Sequence, residues 1–143
     1  MQSTSSTAER DKLTQELQQA EQEKTRWIDD SLALLKRNAS AISAYHEQFN
    51  SLRTQQQAIV QLLTTIAAEP PSFRNKLVKK QRTYELARLL QELQFTENSI
   101  NLLFEEQGVI SDYYEQKIVD CQREIDFITI GLQALSLYSG LYD

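Results

Sequence analysis

Few side chains in this sequence are suited to bond-making chemistry, and they stand far apart. His46 is the only histidine and Cys121 the only cysteine. A structural zinc site needs four ligands, and a di-iron bundle needs two Glu-x-x-His motifs, so neither centre can be assembled. A nucleophilic thiol needs a base or a positive charge beside it. Lys117 is one helical turn from Cys121, but Cys121 falls between Ile118 and Ile125 in an apolar stripe and reads as a small buried hydrophobe. His46, next to Tyr45, reads as an edge-of-interface residue. Asp29-Asp30 and Glu105-Glu106 are adjacent acids. Adjacent residues on a helix point about 100° apart, so these pairs form solvated surface and not a general acid/base dyad. Gly108, Gly131 and Gly140 are the only glycines, which excludes a Gly-rich phosphate loop. The chain therefore reads as a non-enzyme, with no catalytic, metal-binding or cofactor-binding residues and no cofactor.

One local concentration of charge stands out: Arg74, Lys76, Lys79, Lys80 and Arg82. On a helical wheel the five spread over the face opposite Phe73, Leu77 and Tyr84, the pattern of a solvated polar face. They also occupy the first turns of a helix, where the macrodipole disfavours cations by roughly a few tenths of a kcal/mol each. Two readings follow: the segment faces an acidic partner (a protein surface, a phospholipid head group or a nucleic-acid backbone), or acids on the long helix nearby compensate it. The whole chain has a formal net charge of -5 and a pI near 5.0. That balance argues against bulk attraction to nucleic acid or to anionic membranes.

The elements that carry these residues are helices. Hydrophobic residues make up 41% and charged residues 24%, as in globular proteins, but three glycines and two prolines are too few for a loop-rich or β-rich fold. Glutamine, a good helix former, recurs at Gln15, Gln18, Gln19 and Gln22 and at Gln55, Gln56 and Gln57. Ala68-Glu69-Pro70-Pro71-Ser72 is the one strong interruption, because two successive prolines end a helix. Ser72 can cap the next helix, although Asn75 stands where a capping-box Glu or Gln would sit.

Before this break, Ile28, Leu32, Leu35, Ala39, Ile42, Tyr45, Phe49, Leu52, Gln56, Ile59, Leu63 and Ile66 recur at a mean spacing of about 3.5 residues, the coiled-coil period. One unbroken helix over about 9–67, ~90 Å long at 1.5 Å per residue, is favoured over a break near Asn38-Ala39-Ser40. After the break, a second stripe runs through Phe73, Leu77, Tyr84, Ala87, Leu90, Leu93, Ile100 and Phe104. A third runs through Tyr114, Ile118, Cys121, Ile125, Ile128, Leu132, Leu135 and Tyr138. Between them Gly108 suits a helix end, and Asp112 with Glu115 resembles a capping box, which places a turn at 108–111 slightly ahead of a continuous helix. The expected layout is a disordered tail over 1–8 and a single all-α domain over 9–143. That domain is an antiparallel hairpin or coiled-coil bundle of two to three helices: about 9–67, about 72–107 and about 112–138, with a turn at 68–72. Leu35, Ile42, Phe49, Ile59, Ile125, Ile128 and Leu132 are the expected core.

The polar start lacks the apolar stretch of a signal peptide, and no apolar run is long enough to span a bilayer. A single cysteine calls for no oxidising compartment. A cytoplasmic protein, associated with the cytoskeleton in one reading, is the expectation. In Leu62-Leu63, Leu89-Leu90, Leu102-Leu103-Phe104 and Val109-Ile110, apolar residues cover more than one helical face. A hairpin buries one stripe per helix, so Leu89, Leu102, Val109 and Tyr113 are candidate contacts for another chain.

The expected function is a structural or interaction subunit that joins a larger assembly, as scaffold, tether or cytoskeleton-associated component. Its partners would be other helical proteins, in a hetero-oligomer ahead of a homo-oligomer, and not nucleic acid. The architecture, though no specific motif, resembles small subunits of spindle, kinetochore, tethering and intraflagellar complexes. The alternative is a secretion-type chaperone or adaptor that holds an amphipathic client segment transiently.

Overall fold

The computed structural model consists of two helices, α1 (Gln2–Ala68) and α2 (Phe73–Tyr142), packed against each other as a hairpin. It describes the backbone of residues 2–142 and the side chains of 7–138, and no strand occurs among the described residues. α1 is unbroken at Asn38-Ala39-Ser40. It begins at Gln2, so residues 2–8 continue the helix where a tail was expected; they contain no Gly or Pro to stop it. α2 extends past 138 to Tyr142, and it passes through 108–111 without the expected turn. The reason is local: Gly108 does not adopt positive φ, and a helix-ending glycine would. Asp112 and Glu115 therefore sit mid-helix and cap nothing.

The proline turn is built as the sequence implies. The Ser72 hydroxyl accepts a hydrogen bond from the Asn75 backbone N–H at 3.0 Å, and the first bond of α2 runs from the Lys76 N–H to the Ser72 carbonyl at 3.0 Å. Asn75 replaces the missing capping-box acid in a different way. Its amide donates to Glu69 Oε2 at 3.1 Å and to the Pro70 carbonyl at 3.4 Å, which ties the start of α2 to the end of α1.

The chain divides into two compact units, one formed by Met1–Lys36 with Gly108–Asp143 and the other by Arg37–Gln107. In the Arg37–Gln107 unit the core is Leu52, Ile59, Leu89 and Leu93, with Phe49, Leu63 and Leu86 packed against it. Asn38 is also buried there; its amide donates to the Leu103 carbonyl of α2 at 2.9 Å, and its own Oδ1 has no partner. Thr96, fully enclosed, satisfies its hydroxyl within its own helix by donating to the Glu92 carbonyl at 2.8 Å. In the other unit Ala20, Cys121 and Ile128 are buried, and Leu13 Cδ1 comes to 3.5 Å of where a Cβ would stand on Gly131.

On α1 the inward positions follow a strict heptad. Ile28, Leu35, Ile42, Phe49, Gln56 and Leu63 form one column, and Ser31, Asn38, Tyr45, Leu52, Ile59 and Ile66 form the other; all are buried or half-buried. The expected stripe departs from this at two places, since Leu32 and Ala39 are exposed and the smaller polar Ser31 and Asn38 face inward. On α2 the column Leu86, Leu93, Ile100, Gln107, Tyr114, Cys121, Ile128 and Leu135 is likewise buried or half-buried. The stripe expected for 112–138 packs inward except at Tyr138, which is exposed. That expected for 73–104 does so only at Leu93 and Ile100. Phe73, Leu77, Tyr84, Ala87, Leu90 and Phe104 are exposed, and the inward residues are Asn75, Val78, Leu86, Leu89, Leu93, Thr96, Ile100 and Leu103. Both sets step by three and four, so spacing alone does not choose between them. In the structure Leu86, Leu89 and Leu93 are the ones packed with Leu52 and Ile59 of α1.

Two substitutions separate core from surface. Leu89→Ala, at a side chain 4% exposed, is expected to cost about 2 to 5 kcal/mol, and Leu102→Ala, at one 64% exposed, under ~0.5 kcal/mol, both read from urea midpoints. Gly108→Ala tests the continuity of α2. A Cβ there meets nothing within 4 Å, so alanine is expected to stabilise by about 0.5 to 1 kcal/mol, whereas a turn at that residue would make the change destabilising.

Candidate functional site: exposed apolar faces of α2

Four residues singled out from sequence as partner contacts fare differently. Leu89 is a core residue of the Arg37–Gln107 unit and is unavailable to a partner. Its neighbour Leu90 is the exposed member of that pair, because consecutive helical residues point about 100° apart. Leu102, Val109 and Tyr113 are exposed, as expected.

The exposed residues follow a rule that the individual picks missed. In the Arg37–Gln107 unit, Phe95 stands two residues past the buried Leu93, and Leu102 two past the buried Ile100. Two residues of helix are about 200° of rotation, so both point away from α1. In the other unit Ile130 and Leu137 bear the same relation to Ile128 and Leu135, and Phe127 is 78% exposed. Phe95, Leu102 and Val109 are successive steps of seven, as are Ile130 and Leu137. The signal was present in the sequence as apolar residues at i and i+2 along α2, a spacing foreign to a one-sided helix. Between Val109 and Ile130 the same column holds Gln116 and Arg123, so the apolar character is interrupted there.

Such a surplus is the consequence of giving each helix one neighbour.

No protein family, curated protein or solved structure matches this chain.

The aromatic cluster of the unit formed by Met1–Lys36 and Gly108–Asp143 lies beside this surface. Trp27 meets Tyr113 and Tyr114 edge to face, with ring centroids 6.3 and 5.8 Å apart, and the two tyrosines stand 5.3 Å apart in the same manner. Lys117 Nζ lies 5.7 Å from the Trp27 ring centroid and 5.5 Å from that of Tyr113, within cation–π range. Tyr113 thus joins the packing of its own unit while half its surface stays open. Further along, Lys24 Nζ donates to Gln122 Oε1, and the Gln122 amide donates to Asp126 Oδ1, a polar clasp between α1 and α2 in that unit.

Among the described residues no group of three His, Cys, Asp or Glu side chains is placed to hold a metal ion. His46 is exposed on α1, directly after the inward Tyr45. Cys121 is buried as expected, and its thiol is pushed above its ordinary value of 9.0, first by desolvation and then by the nearby Glu23, Glu124 and Asp120; Arg26 acts in the opposite direction. Burial and acidic neighbours both disfavour the thiolate, so this is not an activated nucleophile.

The sign of that shift makes a prediction. The unfolded chain releases the Cys121 proton more readily than the folded one, so this group's contribution to stability is intact below pH 9.0 and declines as the pH rises above it. Ellman's reagent near neutral pH is expected to react with Cys121 slowly in the native protein and rapidly in denaturant. Equal rates in the two states would contradict the buried assignment.

Proposed function

We propose that this chain is a non-enzymatic helical subunit that enters a larger assembly by laying the outer face of α2 against a helix of another protein. The observation that carries the reading is the exposed column two residues beyond the seam: Phe95 and Leu102 in one unit, and Val109, Ile130 and Leu137 in the other. A heptad-spaced apolar column is the surface that a further helix covers by knobs-into-holes packing. At about 25 cal/mol per Å² of apolar area, covering these residues contributes several kcal/mol, against which the ordering cost of association is set.

Among the described residues no helix is long and apolar enough to cross a membrane, so the column has no lipid-spanning role of that kind. The partner is another helical protein, in a hetero-oligomer ahead of a homo-oligomer. A cytoplasmic scaffold, tether or cytoskeleton-associated assembly is the setting that this style of protein suits.

The test is recovery of the tagged chain from its native host. A partner in fixed stoichiometry is expected, and Leu102→Asp with Ile130→Asp is expected to abolish it while leaving the helicity of the isolated chain within about a tenth of its original value, as both positions are exposed. A substoichiometric, variable client would favour a secretion-type chaperone or adaptor. A chain that stays monomeric at high concentration, binds no hydrophobic dye and loses nothing through these substitutions would defeat the proposal.

A further inference from the structure

The turn end of the Arg37–Gln107 unit carries a charge opposite to that of the rest of the chain. Residues 48–84 contain six basic side chains and one acid, Glu69, whereas the remaining residues contain nine basic and nineteen acidic. α1 has no acid between Glu47 and Glu69, so the long helix does not supply the compensation that one reading of the basic segment requires. Arg82 pairs with Glu85 at 2.6 Å. Among the described residues Arg74, Lys76, Lys79 and Lys80 form no ion pair.

The apolar residues here are equally open. Phe73, the first residue of α2, is 83% exposed, and Leu77 and Tyr84 are exposed as well. Helical spacing puts Phe73, Leu77, Lys80 and Tyr84 along one line on the outside of α2, with Lys76 on one flank and Arg74 on the other. An open groove of about 460 Å³ follows the first flank, lined by Lys76, Lys79, Lys80, Thr83 and Tyr84. The apolar line and the cations are thus interleaved, where the sequence had suggested opposite faces.

We infer that this surface docks on an anionic phospholipid bilayer, with the unpaired cations on the lipid head groups and Phe73, Leu77 and Tyr84 seated at the boundary with the acyl chains. Charge complementarity selects an anionic partner, and the apolar line selects lipid among anionic partners. A nucleic-acid backbone matches the lysines and gives bases for Phe73 and Tyr84 to stack on, but it leaves the aliphatic Leu77 without a counterpart. Lysine heads at the level of the phosphates, with their stems along the apolar line, satisfy both parts of the side chain at once. Each cation near an anionic leaflet is worth roughly fivefold in partitioning. This surface is separate from the outer column of α2 from Phe95 onward, and the inference does not depend on the proposed subunit role.

Flotation of the full chain with vesicles tests it. Binding is expected to vesicles of phosphatidylcholine mixed with phosphatidylserine, not to phosphatidylcholine alone, and is expected to weaken as salt is raised. Lys76→Gln, Lys79→Gln and Lys80→Gln together are expected to lower partitioning about a hundredfold. Phe73→Ser with Leu77→Ser, which leaves the charge unchanged, is expected to lower it at least about tenfold. All five positions are exposed, and circular dichroism checks that helicity is retained. The inference is overturned by indifference to phosphatidylserine, by full binding of the Phe73/Leu77 variant, or by binding to a single-stranded oligonucleotide or polyglutamate, without vesicles, that is tighter than to the vesicles.

Discussion

A helix with one neighbour buries two columns of side chains and exposes the rest, and every other feature of this protein follows from that limit. The columns on α1 keep a strict seven-residue repeat, the condition under which two long helices stay in register. Strictness has a cost in composition: the repeat puts Ser31, Asn38 and Gln56 inward and leaves the more apolar Leu32 outside. The period outranks the hydrophobicity of any single residue, because one residue out of phase would rotate all its successors off the seam.

Polar residues inside the seam are where register is decided. Any two apolar columns slide past each other at modest cost, since leucine against isoleucine is nearly as good as leucine against valine. Asn38 breaks that degeneracy within its unit, as its amide finds the Leu103 carbonyl at one alignment only. The orphaned Oδ1 offsets part of the gain. Close to the other end of the same unit, Ser72 and Asn75 act on rotation in the same way, one capping α2 and the other gripping Glu69 and Pro70.

Charge and exposed apolar surface, left over once the seam is filled, are arranged on α2 in two separate places. Near the turn, cations alternate with Phe73, Leu77 and Tyr84; farther along, the apolar residues stand in a heptad column interrupted by Gln116 and Arg123. These are different chemistries. The first suits a charged, fluid surface and the second an ordered helix with matching knobs. Neither place includes the single thiol, which is buried and whose titration is pushed upward by that burial.

Much of this was legible without coordinates. Pro70-Pro71 forces one reversal, the scarcity of glycine forces helices on both sides, and the lack of ligands or a paired nucleophile excludes common catalytic centres. The sequence also determined that apolar surface exceeds what a hairpin can bury. It did not determine which apolar residues were the surplus. Around 73–104 two stripes that share Leu93 and Ile100 had equal claim by spacing, and Phe73, Leu77, Tyr84, Ala87, Leu90 and Phe104 of the expected one lie outside. Leu89 and Leu90 were indistinguishable as a pair, and packing against Leu52 and Ile59 separated them. Gly108 had the right type for a helix end, but a helix ends there only if the backbone takes positive φ, and Gly108 does not. Periodicity is a property of one helix and was therefore readable from its sequence. Phase is a relation between two helices, set by the turn and by the buried contacts, and only the tertiary structure contains it.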